Sequence, residues 1–439
     1  MAEPWREQYR HRLTSAEAAL ARVRSGDRIA VSTIIEPEAL LVALAGRLGD
    51  LRDVKLLWCL PLTDCGWFDP GMEHAFEIMV RTFTSPRIRP LLDTGRADYA
   101  PTPFSLHSKA EVENRPGSHA PDVFLVRVSA PDADGFCSFG PCMWNKKDYA
   151  QRAGYTVAQV DANLIRTYGD NFIHISEFDA IVEHDQPHFE LPPPEVLPDY
   201  VQPIADHVAG LVRDGDTIQI GAGSLGATIA TLGTFDDRAD LGYHAENNVR
   251  GIVDLVKKGV MTGARKTLHP GKVVATNLGL YPDELAYMDG NPNFEVYDQE
   301  YVIDIRTIAA HDNMVAINSA LSMDLTGQTA SESIGHRMWT GAGGQPEFCI
   351  GALLSKGGRS IMMLPSRDRT GAISRITPCL APGSIVTVPR HFADFVVTEY
   401  GVASLLDKSQ RERATELIAI AAPEFRGGLR HEAEQLLWP

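Results

Sequence analysis

The sequence predicts an α/β protein made of two related halves with largely parallel sheets. Three observations carry that prediction. β-rich apolar runs alternate with helical patterns, a strand motif recurs at a nearly constant offset, and a proline-rich stretch separates the two occurrences.

The first repeat opens each half. "VRSGDRIAV" starts at Val23 and "VRDGDTIQI" at Val212, 189 residues apart. Each reads as a helix end, a Gly-Asp turn and a short apolar strand. A loop and an apolar helix follow in both, "EPEALLVALAGRL" in the first and "SLGATIATLG" in the second. The second repeat is "VFLVRVSAPDADGFCSFG" from Val123 and "NMVAINSALSMDLTGQ" from Asn313. Both are a buried-strand pattern, a short link and a glycine turn containing Asp134-Gly135 or Thr326-Gly327, at an offset of roughly 190. "DVKLLWCL" and "YTVAQVDANL" supply further strands to the first half, and "SIMMLPS" and "GSIVTVP" to the second. Between the halves, His184 to Tyr200 holds five prolines, which neither a helix nor a central strand accommodates. The expected domains are therefore 1–190 and 191–439. Near the C-terminus, Ser409 and Glu412 form a capping box ahead of Ala414, Leu417, Ile418 and Ala421, a helix start with no functional message.

Composition bounds the function. At 439 residues, 44% hydrophobic and 22% charged, the chain is ordinary globular protein. A net charge of -16 repels phosphate backbones, so nucleic acid is not an expected partner. No apolar run approaches the ~18 residues of a membrane-spanning helix, and "MAEPWREQYRHRL" has no apolar core of a signal peptide, so a cytoplasmic location is expected. The cysteines, Cys59, Cys65, Cys137, Cys142, Cys349 and Cys379, include no C-x-x-C pair. They read as free thiols, several of them in the core, and no metal site is expected.

Four stretches could carry chemistry. "GAGSLGATIATLG", from Gly221, places Gly221, Gly223 and Gly226 in G-x-G-x-x-G spacing after a strand, where backbone N–H groups can approach an anion or a developing oxyanion. The other reading is a tight strand-to-helix turn without a ligand, because the acidic partner of a dinucleotide site does not follow at the end of a second strand. "GYHAENN" holds Glu246. A lone glutamate is ordinarily a solvated acid, but Leu241 and Tyr243 place this one at the end of a buried strand, where carboxylates of α/β folds face the site crevice. "WTGAGGQPEF" places Gly341, Gly343 and Gly344 in a turn able to present N–H groups, between aromatics that anchor it; a plain surface loop is the alternative. Finally, Lys257, Lys258, Arg265, Lys266, His269 and Lys272 reverse the local charge, as a phosphate contact or as a solvated face. His174 sits in an apolar strand pattern and reads as structural.

Together and in order, "VRSGDRI", "SAPDADGFCSFG", "DANLIRTYGDNFIHISEFD", "GYHAEN", "RKTLHPGK", "NMVAINSALSMDLTGQTASESIG", "GAGGQPEF", "TEYGVASLL" and "RERATELIAIAAPEFR" resemble the family I coenzyme A transferases of the acetyl-CoA hydrolase/transferase and 4-hydroxybutyrate CoA-transferase group, over nearly the whole chain. The resemblance implies two open α/β domains in tandem, of the NagB/RpiA-like CoA-transferase fold, with an active site at their interface. It implies that Glu246 attacks an acyl-CoA thioester and passes through an acyl-glutamyl anhydride and a glutamyl-CoA thioester. Gly343 or Gly344 would supply the oxyanion donor. Gly221, Gly223, Gly226, Gly341 and Gln345 would border the CoA and acyl groups. Coenzyme A is then a substrate and no cofactor is permanently bound. The implied partners are acyl-CoA and a small carboxylate, with no membrane, and the implied assembly is a homodimer or a multiple of it.

The chain departs from the family pattern at two places. "NNVRGI", with Asn247, Asn248 and Arg250, stands where relatives read a short segment containing Asp-Gly. Ile303 stands where the asparagine of a Tyr-x-Asn motif would fall, so a polar contact near the acyl group is lost. These departures motivate a second reading, in which Glu246 is the general base of an acyl-CoA hydrolase or of a hydrolase of a CoA-linked ring. A non-catalytic CoA- or nucleotide-binding protein on the same scaffold is the third.

Overall fold

Runs rich in valine, isoleucine and leucine fold as strands because branched side chains fit a pleated surface covered on both faces. The computed structural model describes residues 4–187, 197–223 and 225–437. The chain divides into two compact units, Met1–Glu190 with Thr276–Glu300, and Leu191–Ala275 with Tyr301–Pro439. Most of the proline-rich stretch, with the expected boundary at residue 190, lies outside the described residues. Residues 276–300 fold with the first unit for visible reasons. The N–H of Met143 donates to the carbonyl of Thr276 at 2.9 Å, the N–H of Leu278 to that of Pro141 at 2.7 Å, and Phe294–Val296 pairs in parallel with Tyr168–Gly169.

The sheet of the first unit contains β1 (Arg28–Val31), β2 (Val54–Leu57), β3 (Phe76–Arg81), β4 (Ala97–Ala100), β5 (Val123–Ser129), β6 (Tyr155–Asp161) and β7 (Ala180–Glu183). Its order is β7-β6-β5-β1-β2-β3-β4 and every pairing is parallel. β5 and β6 are buried at every position. The loop after β1 leads into helix α1 (Glu38–Ala45). The apolar side of α1, with Leu40, Leu41 and Leu44, joins a core that includes Trp58, Trp67 and Phe76. The Trp67 ring meets Phe76 edge-on at 4.9 Å.

In the second unit, β8 (Thr217–Ile220), β9 (Gly242–Asn247), β10 (Met314–Ser319), β11 (Arg359–Met363), β12 (Phe395–Thr398) and β13 (Gly401–Ser404) lie in the order β13-β12-β11-β10-β8-β9. The pairings are parallel except the closing β12–β13 hairpin. Helix α2 (Gln345–Leu354) and helix α3 (Gln410–Ile420) belong to this unit, and α3 starts on the capping box of Ser409 and Glu412. Leu417 and Ile418 of α3 enter a core with Met323, Leu364 and Val396.

The two repeats become one shared arrangement. In the first unit β1 pairs with β5, with Ile29 opposite Val123; in the second β8 pairs with β10, with Ile218 opposite Val315. The fold class is thus mixed α/β with parallel sheets. No helix among the described residues is long and apolar enough to cross a membrane. None of the six cysteines is in a disulfide among the described residues, and Cys59, Cys137, Cys142 and Cys349 are buried.

Candidate active site

Glu246 is the fifth residue of β9 and is only 6% exposed. It stands at the carboxyl end of a parallel strand, where α/β sheets open their crevices. Its Oε2 accepts the backbone N–H of Gly344 at 2.6 Å and its Oε1 accepts from Asn247 Nδ2 at 2.7 Å. Gly344 is the N-cap of α2, so the carboxylate faces the positive end of that helix. Burial nevertheless dominates: it pushes the Glu246 carboxyl up to about 7, the two hydrogen bonds pull it down, and the nearby charge of Glu347 adds to the rise. The site therefore offers a carboxylate that changes charge near neutrality.

Gly344 has no room for a side chain. A Cβ there would lie 2.9 Å from both Glu246 Oε2 and Ile303 Cγ2. Gly343 is buried with φ 57°, in the left-handed region that lets the chain turn into α2. Gly341 is buried in the same loop. Gln345 spends its side-chain donor within the unit, from Nε2 to the carbonyl of Ser319 at 2.9 Å. The loop is thus seated on the end of β10 instead of lying on the surface.

The other glycine loop follows β8, the parallel neighbour of β9. Gly226 is compelled by sterics, since a Cβ would approach the carbonyl oxygen of Gly221 to 1.8 Å. A Cβ on Gly221 would meet Asn318 Oδ1 at 2.6 Å, and one on Gly223 would meet Ser319 at 3.4 Å. Both glycine loops therefore converge on the end of β10, this one at Asn318 and Ser319 and the other, through Gln345, at Ser319. Asn318 is itself held by a reciprocal amide pair with Gln219, at 3.1 and 3.0 Å.

Two groups behind Glu246 escaped the reading of the sequence. His244 lies two residues earlier on β9, on the same face, and is fully buried. Its Nε2 bonds the carbonyl of Val302 at 2.7 Å. A carbonyl only accepts, so Nε2 carries the proton. Burial drives its basicity well below the ordinary histidine range, with His311 and Lys266 adding to the effect. The His311 ring lies 4.5 Å away, centroid to centroid. Val302 precedes Ile303, the fully buried residue against Gly344. The strand-face spacing of His244 and Glu246 was present in the sequence, but the carbonyl partner was not. The basic stretch is partly consumed internally. Lys266 is 5% exposed and donates to the carbonyls of Tyr243 and Lys272, both at 2.8 Å, and Lys258 pairs with Asp236 at 2.8 Å.

Two parallel-sheet units with paired loops at their strand ends, one of them seating a buried carboxylate on a helix N-terminus, define an α/β protein built around a strand-end site. Comparison with known proteins makes the assignment specific. Residues 2–190 match the acetyl-CoA hydrolase/transferase N-terminal domain and residues 283–433 the acetyl-CoA hydrolase/transferase C-terminal domain. The chain is 39% identical to the 4-hydroxybutyrate coenzyme A transferase of Clostridium kluyveri, over 98% of each chain. It is 35% identical to the succinyl-CoA:cyclohexane-1-carboxylate CoA transferase of Geobacter metallireducens, over 98% of this chain and 97% of that one. The crystal structure of RipA from Yersinia pestis superposes with a TM-score of 0.91 at 33% identity, covering 99% of both chains. The chain belongs to the acetyl-CoA hydrolase/transferase family and is an enzyme of that class.

Proposed function

We propose that the chain is an acyl-CoA:carboxylate CoA-transferase in which Glu246 is the covalent nucleophile. The observation that carries this reading is the 2.6 Å bond from the Gly344 N–H to Oε2 of a buried Glu246. It combines with the transferase names of relatives that align over the full chain.

A Glu246 carboxylate oxygen attacks the thioester carbonyl, the C–S bond breaks, and CoA leaves as thiolate from an acyl-glutamyl anhydride. The thiolate then attacks the Glu246 carbonyl carbon and expels the first carboxylate, leaving a glutamyl-CoA thioester. An acceptor carboxylate attacks that thioester and releases thiolate, which takes the new acyl group and regenerates the Glu246 carboxylate. In the middle steps negative charge develops on an oxygen of Glu246 itself. The Gly344 N–H already points at such an oxygen, which suits it as the oxyanion donor there. The Gly343 N–H, free of any bond among the described residues, is available to the substrate carbonyl. Gly221, Gly223, Gly226, Gly341 and Gln345 border the CoA and acyl groups in this reading, with acyl-CoA and a small carboxylate as partners.

The test is to incubate the enzyme with acyl-CoA, treat it with hydroxylamine or borohydride, and map peptides by mass spectrometry. Modification of Glu246 is expected. Its absence with every donor that the enzyme turns over would overturn the covalent mechanism.

A carboxyl poised at about 7 also suits a general base on water, and the apolar Ile303 beside Gly344 favours that alternative. Acyl-CoA consumption at an undiminished rate without any carboxylate acceptor would select hydrolysis. Turnover unchanged in Glu246→Ala would leave only a binding role for the site.

A further inference from the structure

The two oxygens of Glu246 are held by donors of different kinds. Oε2 accepts the backbone N–H of Gly344 at 2.6 Å. That donor is fixed in packed backbone: Gly344 caps the ten-residue helix α2, and a Cβ on it would lie 2.9 Å from Ile303 Cγ2. Oε1 accepts from a side chain, Asn247 Nδ2, at 2.7 Å. Asn247 is the last residue of β9 and is half-buried. Neighbouring side chains along a strand point to opposite faces, so an amide can turn back onto the residue before it only where the strand stops. The backbone at that point is fastened from within β9, because the fully buried Tyr243 donates its hydroxyl to the Asn247 carbonyl at 2.7 Å. Asn247 also opens "NNVRGI", the segment in which the sequence leaves the family pattern.

In a covalent exchange the two oxygens do different work. One attacks the acyl carbonyl and becomes the bridge of the anhydride. When thiolate attacks the Glu246 carbon, the bond from that carbon to the bridge breaks, and the bridging oxygen departs with the first carboxylate. The other oxygen stays on Glu246 as its carbonyl oxygen and carries the charge of the tetrahedral adducts. A fixed backbone donor suits the oxygen that stays, whereas a side chain with rotatable bonds can follow the one that leaves. A bridging anhydride oxygen is a weak acceptor, and it regains negative charge as its bond breaks. A donor on it therefore gains strength in the transition state, which is where binding accelerates a step.

We propose that Asn247 is a catalytic residue: its amide marks Oε1 as the attacking oxygen, stabilises the carboxylate that departs and, in the reverse direction, receives the oxygen of the acceptor carboxylate, while Gly344 keeps Oε2. In that reverse step the acceptor oxygen bonds to the thioester carbon of Glu246, the C–S bond breaks and CoA leaves as thiolate. The assignment rests on the covalent reading of Glu246.

The test uses the glutamyl-CoA enzyme, formed with whichever of butyryl-CoA, succinyl-CoA and acetyl-CoA the wild type turns over fastest, and freed of small molecules by gel filtration. It is discharged in two ways. One uses the carboxylate of the same donor. The other uses hydroxylamine, an uncharged nucleophile that attacks the same carbon and expels the same thiolate. Asn247→Leu, which has no donor, should slow discharge by carboxylate at least about tenfold and leave discharge by hydroxylamine within twofold. Asn247→Gln, which retains the amide, should recover part of the carboxylate rate. Gly344→Ala should slow both discharges. Asn247→Ala decides alone should Asn247→Leu not fold. Carboxylate discharge unchanged by loss of the amide, or both discharges slowed equally, would overturn the assignment and leave the covalent reading intact. A wild type that turns over without forming glutamyl-CoA would overturn the covalent reading itself, and the assignment with it.

Discussion

Glu246 illustrates how one residue is set by competing terms of similar size. Its burial opposes ionisation, while the Gly344 N–H and the Asn247 amide favour it, and burial wins, leaving a carboxyl at about 7. Two outcomes follow. As nucleophile or as base, Glu246 acts only when ionised, so kcat/KM should rise with pH along an acidic limb centred near 7. An activity profile flat from pH 5 to pH 8 would remove Glu246 from the chemistry. The second outcome concerns stability. A carboxyl raised above its ordinary 4.5 favours the fold below that pH, and this contribution is lost as the pH climbs through 7. Glu246→Gln has no such loss. Relative to the wild type, the variant should gain up to about 3 kcal/mol between pH 4 and pH 8, because each tenfold change in proton affinity is worth roughly 1.4 kcal/mol. Urea unfolding at the two pH values measures it; a constant difference would contradict a carboxyl raised by burial.

At the scale of elements, the site depends on how the start of α2 is pressed against the end of β9. Ile303 backs Gly344, and the bond between His244 and the Val302 carbonyl holds that neighbour in place. A methyl at position 344 must displace either Glu246 Oε2 or Ile303, each 2.9 Å away. Gly344→Ala should therefore lower kcat on the order of 100-fold, the scale of a lost oxyanion donor, with the far-UV spectrum unchanged. His244→Ala should lower kcat with less effect on KM, and His244→Gln, which retains an N–H donor for the Val302 carbonyl, should recover part of it. Equal losses in both histidine variants would reduce His244 to packing. These contacts also show what could and could not be read beforehand. Glu246 at a strand end and the glycine loops were legible because alternation and glycine spacing are local properties. That the Gly344 N–H would bond Glu246 across 98 positions was not legible, because it depends on the register of α2 against β9. The same holds for Lys266, which read as part of a charged surface yet is buried with its ammonium on two carbonyls.

For the whole molecule, the repeats at Val23 and Val212 were enough to expect two related α/β halves, and β5-β1-β2 and β10-β8-β9 share that arrangement. The placement of residues 276–300 in the first unit escaped detection because it is made by strand pairing and backbone bonds between distant segments. Each unit nevertheless has its own core, one around Trp58, Trp67 and Phe76, the other around Leu417, Leu364 and Val396. Separate cores imply separate cooperative transitions, since a two-state description holds best for single domains. Calorimetry should therefore resolve more than one unfolding transition, or give a calorimetric enthalpy above the van't Hoff value. Core variants assign them. Trp67→Ala removes a fully buried ring that packs on Phe76 and Trp58. It should cost about 4 kcal/mol and lower the first-unit transition by on the order of 10 °C. Leu417→Ala should act in the same way on the other transition, at about 3 kcal/mol. Both variants shifting a single common transition would show instead that the chain unfolds as one cooperative body.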